Sequence, residues 1–257
     1  MSPEKYIEVC FSPALFPVSY NKGDIVVVID VLRASSSIAV AIHTGVEKIV
    51  PVAGIEECLK YREQGFLIAG ERKGIMVPGF DLGNSPFAFM SPDLKGRNIA
   101  MTTTNGTQAV QLAKMADKVV FGCFLNLDSL VSWLKTQNKN VICLCAGWEN
   151  KFSMEDSLFA GALVYHLKGS HGLSVNCDSA IAAEHLYMAA KNDLYKFLEN
   201  SSHRKRLEKL NIQDDVKYCL SAEQLKVIPI MENDAIVNLI ENSLVNDIAS
   251  YSDAEKK

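Results

Sequence analysis

The sequence predicts an α/β protein, with a largely parallel or mixed sheet and helices on both faces. Short β-branched runs alternate with helix-patterned stretches of about ten residues, the spacing of strand–helix–strand units. The runs at 25–29 (IVVVI) and 141–145 (VICLC) are apolar at every position, as strands buried on both faces must be. A chain of 257 residues can bury a full core, as one unit or as two lobes of about 1–117 and 118–257.

Taken in order, the strand at 25–29 runs into Asp30-Val-Leu-Arg33-Ala-Ser35-Ser36-Ser37. A helix follows over 38–43, with Gly45 as its C-cap. Residues 48–52 read as a strand that Pro51 keeps short or near an edge. A helix over 55–64 and a strand over 66–69 lead into a glycine-rich stretch, 70–86. Its glycines, with Pro78 and Pro86, rule out a helix or a central strand. Glu71, Arg72, Lys73, Asp81, Asn84 and Ser85 crowd into it, and a long irregular stretch this polar reads as a binding loop. Strand 98–101 then opens into Thr102-Thr103-Thr104-Asn105-Gly106-Thr107 and a helix over 108–115. Strand 118–121, helix 128–136 and strand 141–145 follow. Ser153, with Asp156 three residues on, opens a helix through Leu167. The pattern over 178–220 is mostly helical, 226–230 is strand-like, and 252–257 is a polar, frayed tail.

Composition works by exclusion. Lys+Arg 26 against Asp+Glu 30 gives a net charge of −4 and no basic run suited to nucleic acid. No stretch approaches the length of a membrane span, and the charged start at Glu4, Lys5 and Glu8 lacks the apolar core of a signal peptide. A cytoplasmic protein is expected. Seven cysteines without a Cys-x-x-Cys pair read as small buried residues of a reducing compartment. His43, His166, His171, His185 and His203 show no metal-ligand spacing and read as surface or helix-packing residues.

The chemistry gathers where predicted strands end in polar sequence. In an open parallel sheet such ends share one edge, where ligands bind. The turns Arg33–Ser37 and Thr102–Thr107 each enter a helix N-terminus, where unpaired N–H groups favour an anion. Ser35, Ser36, Thr103, Thr104, Asn105, Gly106 and Thr107 are candidate phosphate contacts, unless the hydroxyls only cap helices. Arg33 and Arg72 could clamp oxyanions bidentately. Asp30, Glu71, Asp81, Glu155 and Asp156 are hard oxygen donors suited to Mg2+. There is no Walker A sequence and no Gly-x-Gly-x-x-Gly opening a helix. Asp30 lacks the second acid two residues on that aspartyl-phosphate phosphatases carry, and the loop after Cys145 ends at Lys151 instead of an arginine. Cys145 stays an alternative nucleophile.

Together these segments resemble the 2-phosphosulfolactate phosphatase family. The likeness rests on Asp30-Val-Leu-Arg-Ala-Ser, Gly70-Glu-Arg, Gly79-Phe-Asp-Leu-Gly-Asn-Ser-Pro86, Thr102-Thr-Thr-Asn-Gly-Thr107 and Cys145-Ala-Gly with Glu155-Asp156. It extends through His203-x3-Leu207, Asp215-x3-Cys219 and Val227-x-Pro229. The first motif reads Ala-Ser-Ser where Ala-Thr-Ser or Ala-Thr-Thr is usual, which keeps the hydroxyl. The resemblance implies a Mg2+-dependent hydrolase that releases sulfolactate and phosphate on the route to coenzyme M, or acts on a similar phosphorylated 2-hydroxy acid. The expected catalytic set is Asp30, Arg33, Asp81 and Asn84, with Asp30, Glu71, Asp81 and Glu155 on the metal. Ser85 joins the two turns in binding the substrate, and Arg72 takes its carboxylate or sulfonate. The nucleophile is metal-activated water or an aspartate, Asp30 first. The partner expected is a small anionic substrate, with a homo-oligomer allowed. A non-catalytic phosphometabolite-binding protein and a phosphotransferase on the same scaffold remain the alternatives.

Overall fold

The computed structural model describes residues 5–169, 173–221 and 225–239, so the expected tail at 252–257 lies outside the described residues. The strands are β1 (Lys5–Cys10), β2 (Ile25–Ile29), β3 (Lys48–Pro51), β4 (Leu67–Arg72), β5 (Ile75–Met76) and β6 (Asn98–Thr102). They continue with β7 (Lys118–Gly122), β8 (Val141–Cys145), β9 (Leu173–Ser174), β10 (Pro229–Glu232) and β11 (Ala235–Asn238). All belong to one 11-stranded mixed sheet of order β5-β4-β6-β3-β11-β10-β7-β2-β8-β1-β9.

Strands β4, β6 and β3 form one parallel block, and β7, β2, β8, β1 and β9 another. Between them the hairpin β10–β11 pairs antiparallel with β7 on one side and with β3 on the other. Three reversals of direction separate the blocks, so they run in opposite senses. In a flat sheet the carboxyl ends of β2 and of β4 would lie on opposite edges. The expectation of one shared carboxyl edge is therefore corrected. A sheet twists by about 20–25° per strand, and the five steps from β6 to β2 accumulate about 100–125°. That rotation turns opposed strands into crossing ones, and their carboxyl ends meet at a corner.

The helices are α1 (Phe16–Ser19), α2 (Ala34–Thr44), α3 (Ile55–Arg62), α4 (Gly106–Ala113), α5 (Leu127–Thr136) and α6 (Met154–Leu167). Then come α7 (Asp178–Ala190), α8 (Leu194–Phe197), α9 (Ser202–Glu208) and α10 (Gln213–Cys219). Strand β2 shows why both faces of the sheet are covered. Ile25, Val27 and Ile29 pack with Leu130 of α5, Leu158 of α6 and Ala183 of α7. Val26 and Val28 pack on the other face with Ile38 and Ile42 of α2 and Ala109 and Val110 of α4. Ile99 and Met101 of β6 share that second core, so α4 lies between the two blocks.

Several elements differ from the sequence reading: α1, β5 and β9 were not expected, and β4 runs on to Arg72 between β5 and β6, into the stretch read as unable to hold a central strand. Strand β1 was not expected, because Lys5, Tyr6 and Glu8 interrupt its apolar residues; only Ile7, Val9 and Cys10 are buried. Helix α2 begins at Ala34, because the serine hydroxyls turn inward onto backbone carbonyls and leave the helix intact. Strand β3 is short, as Pro51 predicts, and lies inside the sheet, with Pro51 beyond the single Ile49–Ile236 pairing with β11. The strand expected at 226–230 is the first arm of a hairpin, whose Asn233 and Asp234 take the positive φ of 46° and 66° that a tight turn needs.

Ile230 of β10 belongs to one core and Ile236 of β11 to the other, so the hairpin is held by side chains more than by its ladders. Replacing the fully buried Ile236 by Ala is expected to destabilise the protein by about 2–5 kcal/mol. A lowered midpoint in urea, with activity retained below the transition, checks this.

Candidate active site

The corner is built around Asp30, the residue that follows β2. Its backbone N–H donates to Ser35 Oγ at 3.0 Å, and the Ser35 N–H donates to the Asp30 carbonyl at 2.9 Å. The Ala34 N–H, at the start of α2, donates to Asp30 Oδ1 at 3.3 Å. Asp30 therefore occupies the anion position that its own helix offers. Burial pushes the carboxyl up to about 6; Glu71 and Glu155 add to this, while His203 and the Ala34 N–H oppose it. Ser36 Oγ donates to the Val31 carbonyl at 2.8 Å and Ser37 Oγ to the Asn84 carbonyl at 2.9 Å. The hydroxyls of Ser35 and Ser36 thus fasten the turn from within.

Glu71, near the end of β4, joins the glycine-rich loop to the threonine turn. It accepts the Gly74 N–H and the Thr104 N–H, one on each oxygen, both at 2.7 Å. The Thr103 N–H donates to Thr107 Oγ1 at 3.1 Å, and Asn105 Oδ1 accepts the Glu149 N–H at 3.3 Å. At Gly106 an added Cβ would lie 3.1 Å from Asp30 Oδ2 and 3.0 Å from Thr103 Oγ1, so a side chain there would crowd the acid. Arg72 is spent on the Glu71 carbonyl and Thr102 Oγ1. Asn84 is buried, and its Oδ1 has no hydrogen-bond partner. Ser85 is half-buried beside it.

The third side comes from the end of β8. Asp156, on α6, accepts the Val31 N–H at 2.9 Å and the Gly147 N–H at 3.1 Å, which clips the ends of β2 and β8 together. Burial, with Glu155 and Asp30 nearby, raises its carboxyl well above the usual range. Gly147 has φ +65°, and an added Cβ would lie 2.4 Å from the Lys151 carbonyl. That tight loop sets Trp148 at the site. Glu155 Oε1 meets His203 Nδ1 at 2.5 Å. Burial pushes Glu155 up, but the bond and charge of His203 outweigh it and hold the carboxyl below its usual range.

Asp30, Arg33, Glu71, Asn84, Asn105, Trp148 and His203 line one cleft. Five of the expected residues, Asp30, Arg33, Glu71, Asn84 and Asn105, are thus brought together from three distant segments, while Ser35, Thr103, Gly106 and Thr107 line a separate space beside Asp30. Asp81 is not among them. It sits by the start of β4, where Oδ2 accepts the Ile68 N–H at 2.8 Å and Oδ1 pairs with Arg62 at 3.1 Å, exposed to solvent. The expectation of Asp81 as catalyst and metal ligand is corrected on that ground. Cys145 is fully buried and burial raises its thiol well above the usual value, which removes it as a nucleophile. His203 was expected on a surface or packing face and instead lines the cleft. It stands three residues before Arg206 on α9, the one local sign that both share a helix face.

Asp215, which opens one of the family-like motifs but had no role assigned to it, holds Arg33. Arg33 NH1 donates to Asp215 Oδ2 at 2.5 Å and NH2 to the Gly74 carbonyl at 3.0 Å, with the pair almost wholly buried. Asp215→Ala leaves a buried guanidinium uncompensated and is expected to cost about 3–5 kcal/mol. Chemical unfolding measures it; Asp215→Asn, which keeps an acceptor, should lose less.

The sequence profile of 2-phosphosulpholactate phosphatase matches residues 10–234. A probable 2-phosphosulfolactate phosphatase of Thermotoga petrophila is 40% identical over 211 residues, covering 82% of this chain and 90% of that protein. One from Caldanaerobacter subterraneus subsp. tengcongensis is 37% identical over 215 residues, covering 82% and 89%. One from Microcystis aeruginosa is 36% identical over 233 residues, covering 88% and 96%. The chain therefore belongs to the 2-phosphosulfolactate phosphatase family, whose members are phosphoric monoester hydrolases.

Proposed function

We propose that this chain hydrolyses 2-phosphosulfolactate, or a phosphorylated 2-hydroxy acid of similar shape, with Mg2+ as cofactor. The carrying observation is the cleft where Asp30, Arg33, Glu71, Asn84, Asn105 and His203 meet, on a chain whose relatives are named for that activity. Sulfolactate as product puts the reaction on the route to coenzyme M, and we place it in the cytoplasm. No helix among the described residues is long and apolar enough to cross a membrane.

The cleft is short of positive charge. Asp30 and Glu71 line it with Arg33, whose charge Asp215 already balances. A phosphate ester that also carries a carboxylate and a sulfonate needs an added cation there. Asp30, Glu71 and the unpartnered Asn84 Oδ1 are hard oxygen donors of the kind Mg2+ takes. Among the described residues no three His, Cys, Asp or Glu side chains gather tightly enough to hold a metal alone. This suits an ion that takes one or two carboxylates and completes its shell with water and phosphate oxygens. When bound, Mg2+ supplies positive charge to the phosphoryl oxygens.

The chain's own residues orient the substrate and move the proton. Arg33, pinned by Asp215 and the Gly74 carbonyl, offers its remaining N–H to the phosphoryl group. Glu71 fixes the two loops that carry Gly74 and Thr104. As water or the Asp30 carboxylate forms the new bond to phosphorus, His203, with Nδ1 engaged by Glu155, has Nε2 to protonate the leaving 2-oxygen.

Phosphate release should stop with EDTA and return with Mg2+. Asp30→Asn should lose at least about 100-fold in kcat while remaining folded, and near-normal turnover would remove Asp30 from the catalytic set. His203→Asn should lose about 10²–10⁴ in kcat on the natural ester, yet much less on p-nitrophenyl phosphate, whose leaving group needs no proton. Equal losses on both esters would overturn the proton-donor role. Phosphate moving to an organic acceptor would identify a phosphotransferase instead, and saturable binding without release a binding protein.

A further inference from the structure

Next to the Asp30 cleft lies a second cavity of about 150 Å³, walled by Phe152, Ser153, Met154, Ser202 and Arg206. Trp148 and His203 line both spaces, so the second cavity adjoins the Asp30 cleft. Arg206 is its cation. The guanidinium lies over the Trp148 ring, with Cζ 4.2 Å from the centroid. Its Nε is buried and has no hydrogen-bond partner, and NH1 makes a long 3.4 Å bond to Ser202 Oγ.

Other arginines near the site are committed elsewhere. Arg33 pairs with Asp215, Arg72 serves the Glu71 carbonyl and Thr102, and Arg204 serves Glu208 and the Tyr195 carbonyl. Glu155, which acts on Arg206 through space, is bonded to His203, and Glu149 is exposed. Burial holds the Arg206 pKa below its usual value against both of these acids, as expected of a cation that lacks a close counter-ion.

A half-buried guanidinium with an idle donor, seated over an indole ring, is built to receive an oxyanion. We propose that Arg206 on its Trp148 platform binds the sulfonate of 2-phosphosulfolactate and thereby selects among phosphorylated 2-hydroxy acids. This rests on the hydrolase reading above and adds the residue that reads the far end of the substrate. It also replaces Arg72, which the sequence suggested for that task.

The test compares wild type, Arg206→Met and Arg206→Lys, with Mg2+, on 2-phosphosulfolactate and on 2-phospholactate, which has the carboxylate but no sulfonate. R206M should lower kcat/KM on the sulfonated ester by about 100-fold, mainly through KM, and at least about tenfold more than on phospholactate. R206K, which keeps the charge but loses the planar fork, should recover part of the loss. Equal losses on both esters, or none, would overturn the assignment. If the wild type hydrolyses neither ester, the hydrolase reading fails, and calorimetric titration with sulfolactate decides the arginine separately. Weaker sulfolactate binding by R206M, by at least about tenfold, sustains it; no binding to wild type, or equal binding, ends it.

Discussion

Carboxylates withdrawn from water govern this corner of the molecule. Asp30, Glu71, Glu155, Asp156 and Asp215 are all buried, and each would be strongly unfavourable there without a partner. The partners are mostly backbone N–H groups, at Ala34, Gly74, Thr104, Val31 and Gly147. Asp156 and Glu71 engage backbone with both oxygens and act as clips between segments. Asp215 holds Arg33 in place and Glu155 holds His203. Asp30 differs, because its Oδ2 faces the space that Gly106 leaves open and its carboxyl is pushed up by burial and neighbouring acids. Fastening and reactivity thus come from the same residue type, and Glu71, a clip that also faces the cleft, can serve both.

Those partners can meet only because the sheet is reversed and twisted. A single parallel sheet would have put the ends of β2, β4, β6 and β8 in one row. Here the ends of β2 and β8 cross those of β4 and β6, and α4 fills the angle between the blocks. The result is a cleft walled on several sides, with Trp148 and His203 closing the side that the strands leave open.

Much of this was legible in the sequence, in proportion to how local each signal is. The runs 25–29 and 141–145 are apolar on both faces and suit central strands, which they are. Polar sequence directly after a strand marked Asp30, Arg33, Glu71, Asn84 and Asn105, all of which line the cleft. The same rule misplaced Asp81, because the loop after β4 doubles back and sets that acid beside Ile68 at the strand's start. Ser35 and Ser36 look alike on paper whether a hydroxyl faces a ligand or its own backbone, and only packing turned them inward. Asp215 is 182 residues from Arg33, and a pairing at that distance leaves no local pattern. His203 and Arg206 sit in a segment whose helical periodicity says nothing of which face meets the cleft.

The position of the β10–β11 hairpin also bears on how the chain is made. Residues 229–238 are translated after nearly everything they separate, yet they form the middle of the sheet. Until they emerge from the ribosome, β3 and β7 each present a bare, apolar edge with no strand beside it. Two half-sheets must wait side by side for their keystone, a long-range closure of the kind that slows folding and invites chaperones.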